Sequence, residues 1–271
     1  MAKKLLQDMT WKQVEAKLKE MGDAKVAIIP TGSTEQHGPH MPLGTDFMIA
    51  ETLAGMINEK SNVLVTPVIP VGFAEYHTDF AGSLSVSTDV FVAYVSSIVK
   101  CLLRYGITHV LFVNGHGGNA VGLGMVCREL RNMGITAAYS QWWHLSGSIN
   151  PKWALQGHGD YIETSMVMSI HPEGLDMASV EPIVNEPLTD KLENLDGTNV
   201  KFKDGSVCFG LRLKDVTKNG TMMEYGHDPN ADFTIPITAA SKELGDDLME
   251  GVSDYLVEFI EEFKKVKFEK A

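Results

Sequence analysis

The sequence contains few cysteines and no long apolar run. Its three cysteines, Cys101, Cys127 and Cys208, are an odd number, and none are spaced as Cys-x-x-Cys. This pattern argues against a disulfide-stabilised fold and a thiolate zinc site, so we expect the three thiols to be buried as small apolar side chains. No apolar segment approaches the roughly 20 residues that a membrane-spanning helix needs, so no membrane association is expected.

Basic residues are also scarce. Lysine and arginine together number 23, against 35 aspartates and glutamates, which gives a formal net charge of −12 at pH 7. Since no stretch concentrates basic side chains, neither nucleic acid nor an anionic membrane is an expected partner. The amino-terminal residues 1–8 lack the apolar segment of a secretory signal peptide, and we therefore expect a cytoplasmic protein.

The 271 residues, 44% of them hydrophobic, are sufficient for one large domain spanning 1–271. Apolar runs typical of buried strands occur at 25–29, 62–67, 109–113 and 135–142, and helical patterns occur at 11–18, 47–57, 88–105, 120–133, 157–168 and 237–265. This alternation predicts an α/β fold in which helices cover both faces of a mostly parallel sheet. Residues from about 174 to 236 are richer in glycine and polar residues, and we predict an irregular excursion there that covers a site or meets another subunit.

One loop concentrates candidate catalytic groups. The first predicted strand is followed by Thr34-Glu35-Gln36-His37 and then by a segment rich in glycine and proline that ends at Asp46. In an extended backbone, side chains alternate, so Glu35 and His37 are predicted to face one side while Gln36 points away. The glycines and prolines allow the loop to fold back and bring Asp46 to the same place.

Three other segments carry polar side chains at predicted strand ends or helix starts. They contain His77, His116, and His158 together with Glu163. Because parallel strands end at the same edge of a sheet, we expect these segments to meet the first loop there. For His77, a hydrogen bond within its own loop and a role in the site are equally compatible with the sequence. His40 is a candidate supporting residue.

Carboxylates and imidazoles without thiolates are typical ligands of zinc, manganese and iron(II). Two histidines and three acidic residues are enough to hold two ions, and Asp46 is the predicted bridge between them. Two neighbouring ions lower the pKa of a shared water molecule and polarise a substrate carbonyl. The pattern therefore predicts a metal-dependent hydrolase.

Three other classes of protein are compatible with parts of the sequence. Gly115-x-Gly117-x-x-Ala120 fits a dinucleotide fingerprint, but the next strand ends without the acidic residue that binds ribose, which disfavours a nicotinamide-dependent oxidoreductase. His116-Gly117-Gly118 is similar to an oxyanion-hole loop, but the G-x-S-x-G motif of serine esterases is absent. A non-enzymatic binding scaffold is the third class. None of the three explains Glu35, His37 and Asp46 together.

The segment from Gly32 to Asp46 resembles the signature G-S-x-E-Q-H-G-x-H-x-P-x-x-T-D of the creatininase (creatinine amidohydrolase) family. Further similar segments are Glu75-Tyr76-His77, Asn114-Gly115-His116-Gly117-Gly118-Asn119, His158-Gly159 with Glu163, and Gly226-His227-Asp228-Pro229. The resemblance therefore covers nearly the whole chain.

This resemblance implies a three-layer α/β/α sandwich, two divalent metal ions and a homo-oligomer, often a hexamer. Zinc is the expected metal, with manganese or iron as alternatives. Carried over residue by residue, the resemblance places Glu35 and His116 on one ion, His37 on the other, and Asp46 between them. It also suggests His158 as the residue that transfers the proton.

The chain departs from true creatininases at one position. Those enzymes carry a glutamate ligand two residues after the histidine of the N-G-H loop, where this chain has Gly118. We expect Glu163 to complete the second ion's ligands, and we count it with His158 among the catalytic residues. The expected substrate is a small molecule other than creatinine, and the expected reaction is C–N hydrolysis of a cyclic amide or formamide. C–C hydrolysis of a carbocyclic ketone is the alternative.

Four aromatic side chains near the last predicted strand are candidates for contact with this substrate or for the core: Trp142, Trp143, Trp153 and Tyr161.

Overall fold

A computed structural model describes residues 5–154, 156–183, 185–195, 197–225 and 235–269. Its α-helices are α1 (Trp11–Glu20), α2 (Thr45–Lys60), α3 (Thr88–Leu103), α4 (Ala120–Asn132), α5 (Trp142–Ile149), α6 (Tyr161–Ile170) and α7 (Lys242–Phe263). Its strands are β1 (Val26–Thr31), β2 (Leu64–Val65), β3 (His109–Asn114), β4 (Thr136–Gln141), β5 (Gln156–His158), β6 (Glu193–Asn194), β7 (Asn199–Phe202), β8 (Gly205–Cys208) and β9 (Met222–Tyr225).

The central sheet has four parallel strands in the order β2-β1-β3-β4. The chain leaves β1 toward β2 on one side and then crosses to β3 on the other side. In sheets of this kind, ligands bind beyond the carboxyl ends of two adjacent strands whose following connections run in opposite directions across the sheet. Here that position lies above Thr31 and Asn114, the paired last residues of β1 and β3.

Two apolar cores cover the two faces of this sheet. In β1, Val26 and Ile28 pack against α2, α6 and α7, whereas Ala27 and Ile29 pack against α3 and α4. Both faces are apolar because a parallel sheet covered on each side exposes neither face to water. The prediction of an α/β fold with a three-layer α/β/α sandwich is therefore confirmed.

The segment predicted as an irregular excursion contains regular structure. Strands β6, β7 and β8 form a small antiparallel sheet, and β9 pairs antiparallel with β5, next to His158. The excursion thus returns to the main body of the fold beside a predicted site residue. The motif Gly226-His227-Asp228-Pro229 lies outside the described residues.

Some local predictions differ from the structure. Cys101 and Cys208 are exposed and Cys127 is half-buried, so the prediction of three buried thiols was wrong. The fourth strand ends at Gln141, and Trp142 begins helix α5 instead of ending the strand. No helix within the described ranges has the length and apolar character needed to cross a bilayer.

Candidate metal centre

The predicted site residues meet at the carboxyl end of the central sheet. Glu35 and His37 lie in the loop after β1, and His116 lies in the loop after β3. The other members come from helix starts and from β5: Asp46 in the first turn of α2, His158 at the end of β5, and Glu163 in the first turn of α6. All six side chains are buried, and all of them except His37 line one cavity.

His116 directs one ring nitrogen toward two carboxylates. Its Nε2 lies 2.7 Å from the main-chain oxygen of Phe73, and because a carbonyl cannot donate, Nε2 carries a hydrogen. Its Nδ1 faces Glu35 Oε2 and Asp46 Oδ2, each 3.1 Å away. Burial lowers the pKa of His116, but these two carboxylates outweigh burial and raise that pKa well above its usual value, so a proton occupies Nδ1 when no cation is bound.

His37 makes the same arrangement on the other side of Asp46. Its Nδ1 donates to the main-chain oxygen of Glu35 at 3.1 Å, so Nε2 is the ring nitrogen that faces the carboxylates. Nε2 lies 2.9 Å from Asp46 Oδ1 and 3.8 Å from Glu163 Oε2. His37, Asp46 and Glu163 thus form a second group of potential ligands.

Asp46 takes part in both groups through different oxygens. The potential ligand atoms lie within 4.8 Å of one another in each of two triads that share Asp46, Glu35–Asp46–His116 and His37–Asp46–Glu163, and also in a third group, Glu35–His37–His158. Glu35 Oε2 and Asp46 Oδ2 are buried and accept no hydrogen bond from the described part of the chain. Since unpaired buried carboxylate oxygens are costly, both triads suit divalent cations, with one carboxylate shared.

The electrostatics of the cluster favour positive charge. Burial lowers the pKa of His37, but the carboxylates of Asp46 and Glu163 outweigh burial and raise that pKa to about 10. Burial acts in the opposite direction on Asp46, and the neighbouring histidines outweigh it, so the pKa of Asp46 lies below its usual value. Without a bound ion, this positive charge is provided by protons on the histidines. A divalent ion would place more positive charge between the carboxylates than a proton does.

His158 occupies a position between the triads. Its Nε2 donates to the main-chain oxygen of Gln36 at 2.6 Å, and its Nδ1 lies 4.0 Å from Glu35 Oε1. Burial and the positive charge of His37 hold the pKa of His158 well below its usual value. The ring is therefore neutral, with a free nitrogen directed toward the carboxylates.

Glu163 lies beside His37 but is held by the backbone. Its Oε2 accepts a hydrogen bond from Gly159 N at 2.7 Å. Asp160 caps α6 by accepting from the main-chain nitrogens of Gly157, Ile162 and Glu163, and this fixes the turn between β5 and the helix. Burial raises the pKa of Glu163 well above its usual value.

Sequence reasoning missed one member of the site and left another open. The prediction that Gln36 points away overlooked a contact, because its amide reaches His77 and lies against His158. The sequence left the role of His77 open, and the structure places the His77 side chain in the cluster, 3.2 Å from Glu35 Oε1. His40 instead contacts Thr164 in α6 and supports the loop from outside the cluster.

A cavity of about 220 Å³ opens onto the cluster. Tyr76, Trp142 and Trp143 line it, whereas Trp153 and Tyr161 pack against the core. Among the described residues, no lysine or arginine lines the cavity.

Close packing explains why two positions of the Asn114–Asn119 loop are glycine. A side chain at Gly115 would overlap the main-chain oxygen of Asp46, so this glycine lets the loop approach α2. A side chain at Gly118 would overlap the main-chain oxygen of Phe73, the partner of His116. The backbone therefore leaves no space for a glutamate at position 118.

We expect Gly118→Glu to misplace His116 instead of adding a ligand. The new Cβ would meet backbone, which cannot move aside as a flexible side chain can, so a cost of about 1–3 kcal/mol in the free energy of unfolding is expected. Thermal unfolding should show a lower midpoint than the wild type. The matched control is Gly124→Glu, in helix α4, where an added Cβ meets nothing within 4 Å. Equal stability of the two variants would contradict this explanation.

Comparison with known proteins finds one family that covers most of the chain. A sequence profile of the creatininase family, described as creatinine amidohydrolase, matches residues 7–260. The mycofactocin precursor peptide peptidase of Mycobacterium ulcerans is 33% identical over 161 residues, which are 54% of this chain and 58% of the relative. The creatinine amidohydrolase of Pseudomonas putida is 27% identical over 202 residues, covering 66% of this chain and 75% of the relative.

One solved structure shows the same fold. It is described as a mutant creatininase of Zn-Zn type, and it superposes with a TM-score of 0.72 at 23% identity over 97% of this chain and 98% of the other. The chain thus spans less than two thirds of the length of the mycobacterial peptidase but nearly all of the solved creatininase fold.

Proposed function

We propose, because this chain belongs to the creatininase family, that it is a metal-dependent hydrolase that cleaves a C–N bond beside a carbonyl group. The observation that carries the proposal is the position of Asp46, whose two carboxylate oxygens lie 2.9 Å and 3.1 Å from ring nitrogens of two different histidines. A cavity of about 220 Å³ supports a small substrate or a small reacting group. The absence of lysine and arginine among its described lining residues favours an uncharged amide or formamide over a phosphorylated one.

The two triads define which residues would hold the ions. Glu35, Asp46 and His116 would bind one, and His37, Asp46 and Glu163 would bind the other. When bound, two divalent ions supply Lewis acidity toward the carbonyl oxygen and lower the pKa of water. The carboxylate and imidazole donors fit zinc, with manganese or iron(II) as alternatives decided by availability.

His158 would move the proton. Its ring is held by the main-chain oxygen of Gln36, so its neutral Nδ1 faces the reacting groups. Nδ1 accepts a proton as water attacks the carbonyl carbon, and it then donates this proton to the departing nitrogen as the C–N bond breaks. The products are a carboxylic acid and an amine. Tyr76, Trp142 and Trp143 would exclude water from the remainder of the substrate.

Glu163 is proposed as a ligand of the second ion, and Glu163→Gln tests this role. The glutamine oxygen can keep the hydrogen bond from Gly159, but its amide group cannot replace a carboxylate beside His37. We expect the bound metal to fall from two ions to one per chain, measured by elemental analysis after gel filtration. Glu173→Gln, at an exposed glutamate paired with His171, is the control. Two ions bound as tightly as in the wild type would exclude Glu163 as a ligand.

A hydrolysis screen tests the proposed reaction. The purified protein should contain two ions per chain and hydrolyse at least one uncharged lactam or formamide, and removal of the ions by a chelator should stop this hydrolysis. Turnover of a cyclic ketone in place of amides would favour the C–C cleavage predicted as the alternative. Binding of a nicotinamide cofactor without bound metal would overturn the proposal.

We also infer a homo-oligomer. Exposed apolar side chains lie in pairs on neighbouring helices, Val90 and Tyr94 on α3 and Val121 and Met125 on α4, which supports a subunit contact there. Light scattering after gel filtration would give the mass, and a monomer of 29.7 kDa would contradict this inference.

A further inference from the structure

We propose that His77 is a positioning residue that orients Glu35 toward the ion held with Asp46 and His116. We propose further that Gln36 fixes the tautomer of His77 on which this role depends. The proposal rests on the metal-dependent function proposed above. It concerns hydrogen bonds that the described residues make among themselves.

The first step is the orientation of the Gln36 amide. Its Oε1 accepts a hydrogen bond from the main-chain nitrogen of Gly38 at 2.9 Å, and its Nε2 donates to the main-chain oxygen of Gly220 at 3.2 Å. Both partners are main-chain groups, whose roles as donor and acceptor do not change. Together they determine which end of the amide is nitrogen.

The second step is the tautomer of His77. Gln36 Nε2 has a second hydrogen, and it lies 2.9 Å from His77 Nδ1. Because the amide nitrogen can only donate, Nδ1 must accept, and the ring hydrogen is on Nε2. His158 Nε2 also lies 3.1 Å from this amide nitrogen, but it already donates to the main-chain oxygen of Gln36 and is therefore not an acceptor.

The third step is the effect on Glu35. His77 Nε2, which carries the ring hydrogen, lies 3.2 Å from Glu35 Oε1, so one oxygen of this carboxylate has a neutral N–H group beside it. The other oxygen, Oε2, accepts no hydrogen bond from the described residues and lies 3.1 Å from His116 Nδ1. His77 thus fixes the rotation of the carboxylate and leaves Oε2 for a cation, as histidine and carboxylate partners behind metal ligands commonly do.

Two observations separate this role from simple packing. The main-chain nitrogen of His77 donates to the main-chain oxygen of Ala74 at 3.0 Å, so the local turn does not depend on the imidazole. His77 belongs to none of the three groups of potential ligands among the described residues, and with hydrogen on Nε2 its nitrogens offer no free lone pair to an ion. The imidazole is buried, and its described nitrogen contacts are to Gln36 and Glu35.

The arrangement also links the excursion to the site. Gly220 lies on the segment before β9, and a side chain there would overlap Oε1 of Gln36. Its positive φ of 88° favours glycine as well. The position of this segment therefore determines where the Gln36 amide lies, and the amide in turn holds His77.

Zinc titration in buffers of fixed free zinc tests the proposal. His77→Leu removes the donor, and we expect one of the two ions to bind about 10- to 100-fold more weakly while the other keeps its affinity. His77→Gln restores an N–H donor near the same position and should lose less affinity than His77→Leu. Gln36→Met should weaken the same ion although His77 is intact. His109→Gln, at a buried histidine that contacts Val266, is the control.

The tautomer gives a readout that needs no bound metal. Nitrogen-15 NMR of the metal-free wild type should show His77 with hydrogen on Nε2, and hydrogen on Nδ1 would overturn the proposal even if the variants fail to fold. Equal zinc affinity of His77→Leu and wild type, or equal weakening of both ions, would also overturn it. A wild type that binds no zinc would instead contradict the proposed metal-dependent function.

Discussion

Replacing Asp46 with alanine is expected to remove both ions and to reduce turnover by at least about 10³-fold, since the loss of a partner behind a single ligand already costs about 10- to 100-fold. The reason is geometric, because Asp46 lies 2.9 Å from His37 Nε2 through one oxygen and 3.1 Å from His116 Nδ1 through the other. Among the described carboxylates, Asp46 belongs to both triads proposed to hold an ion, whereas Glu35 belongs to one of them and to the Glu35–His37–His158 group.

Elemental analysis and the thermal midpoint measure this effect. Zinc should raise the unfolding temperature of the wild type, since an ion that binds only the folded state stabilises it, and zinc should not raise that of Asp46→Ala. Asp89→Ala is the matched control, because Asp89 lies in the first turn of α3 as Asp46 does in α2, but outside the cluster. An Asp46→Ala protein that retains both ions and activity would refute the assignment of a shared carboxylate.

The second large effect is expected from His158→Gln. The glutamine amide can still donate to the main-chain oxygen of Gln36, but it cannot accept and release a proton as the imidazole Nδ1 does. We expect kcat to fall by about 10²- to 10⁴-fold, the usual contribution of a general acid–base residue. Metal content should remain at two ions.

Steady-state kinetics and metal analysis together isolate this proton transfer. His171→Gln is the control, since His171 is partly exposed and pairs with Glu173 away from the cluster. A His158→Gln protein that loses an ion would instead make His158 a ligand, which is compatible with its position near Glu35 and His37. Unchanged kcat with both ions present would remove His158 from the mechanism.

The part of the fold that depends on local patterns was predictable from the sequence. The apolar runs predicted the first and last residues of β1 and β3 to within two positions, because strands buried on both faces must be apolar throughout. Parallel strand order then placed the loops that contain Glu35 and His116 at the same edge. The meeting of Asp46 with both histidines follows from this topology and from the turn before α2.

Other features depend on contacts between distant segments, which local patterns do not encode. The pairing of β5 with β9 joins residues more than 60 positions apart, and it places the excursion beside His158. The orientation of Gln36 depends on Gly220 in that same excursion. The role of His77 follows only once this amide is oriented, which explains why the sequence left it open.

The same limit applies to the thiols and to Trp142. Cys101 and Cys208 have apolar neighbours in sequence, but which face of α3 or β8 is covered depends on the surrounding elements. Trp142 continues an apolar run in the sequence, yet it is the first residue of α5. Its side chain packs in the core and also lines the cavity. Burial and function at these positions are properties of the assembled fold.

Anomalous diffraction from a zinc-loaded crystal tests the central claim most directly. The account predicts two peaks, one within about 2.3 Å of ligand atoms of Glu35, Asp46 and His116, and one at the same distance from His37, Asp46 and Glu163. Asp46 should contact both peaks through different oxygens. A single peak, or two peaks that do not share Asp46, would contradict it.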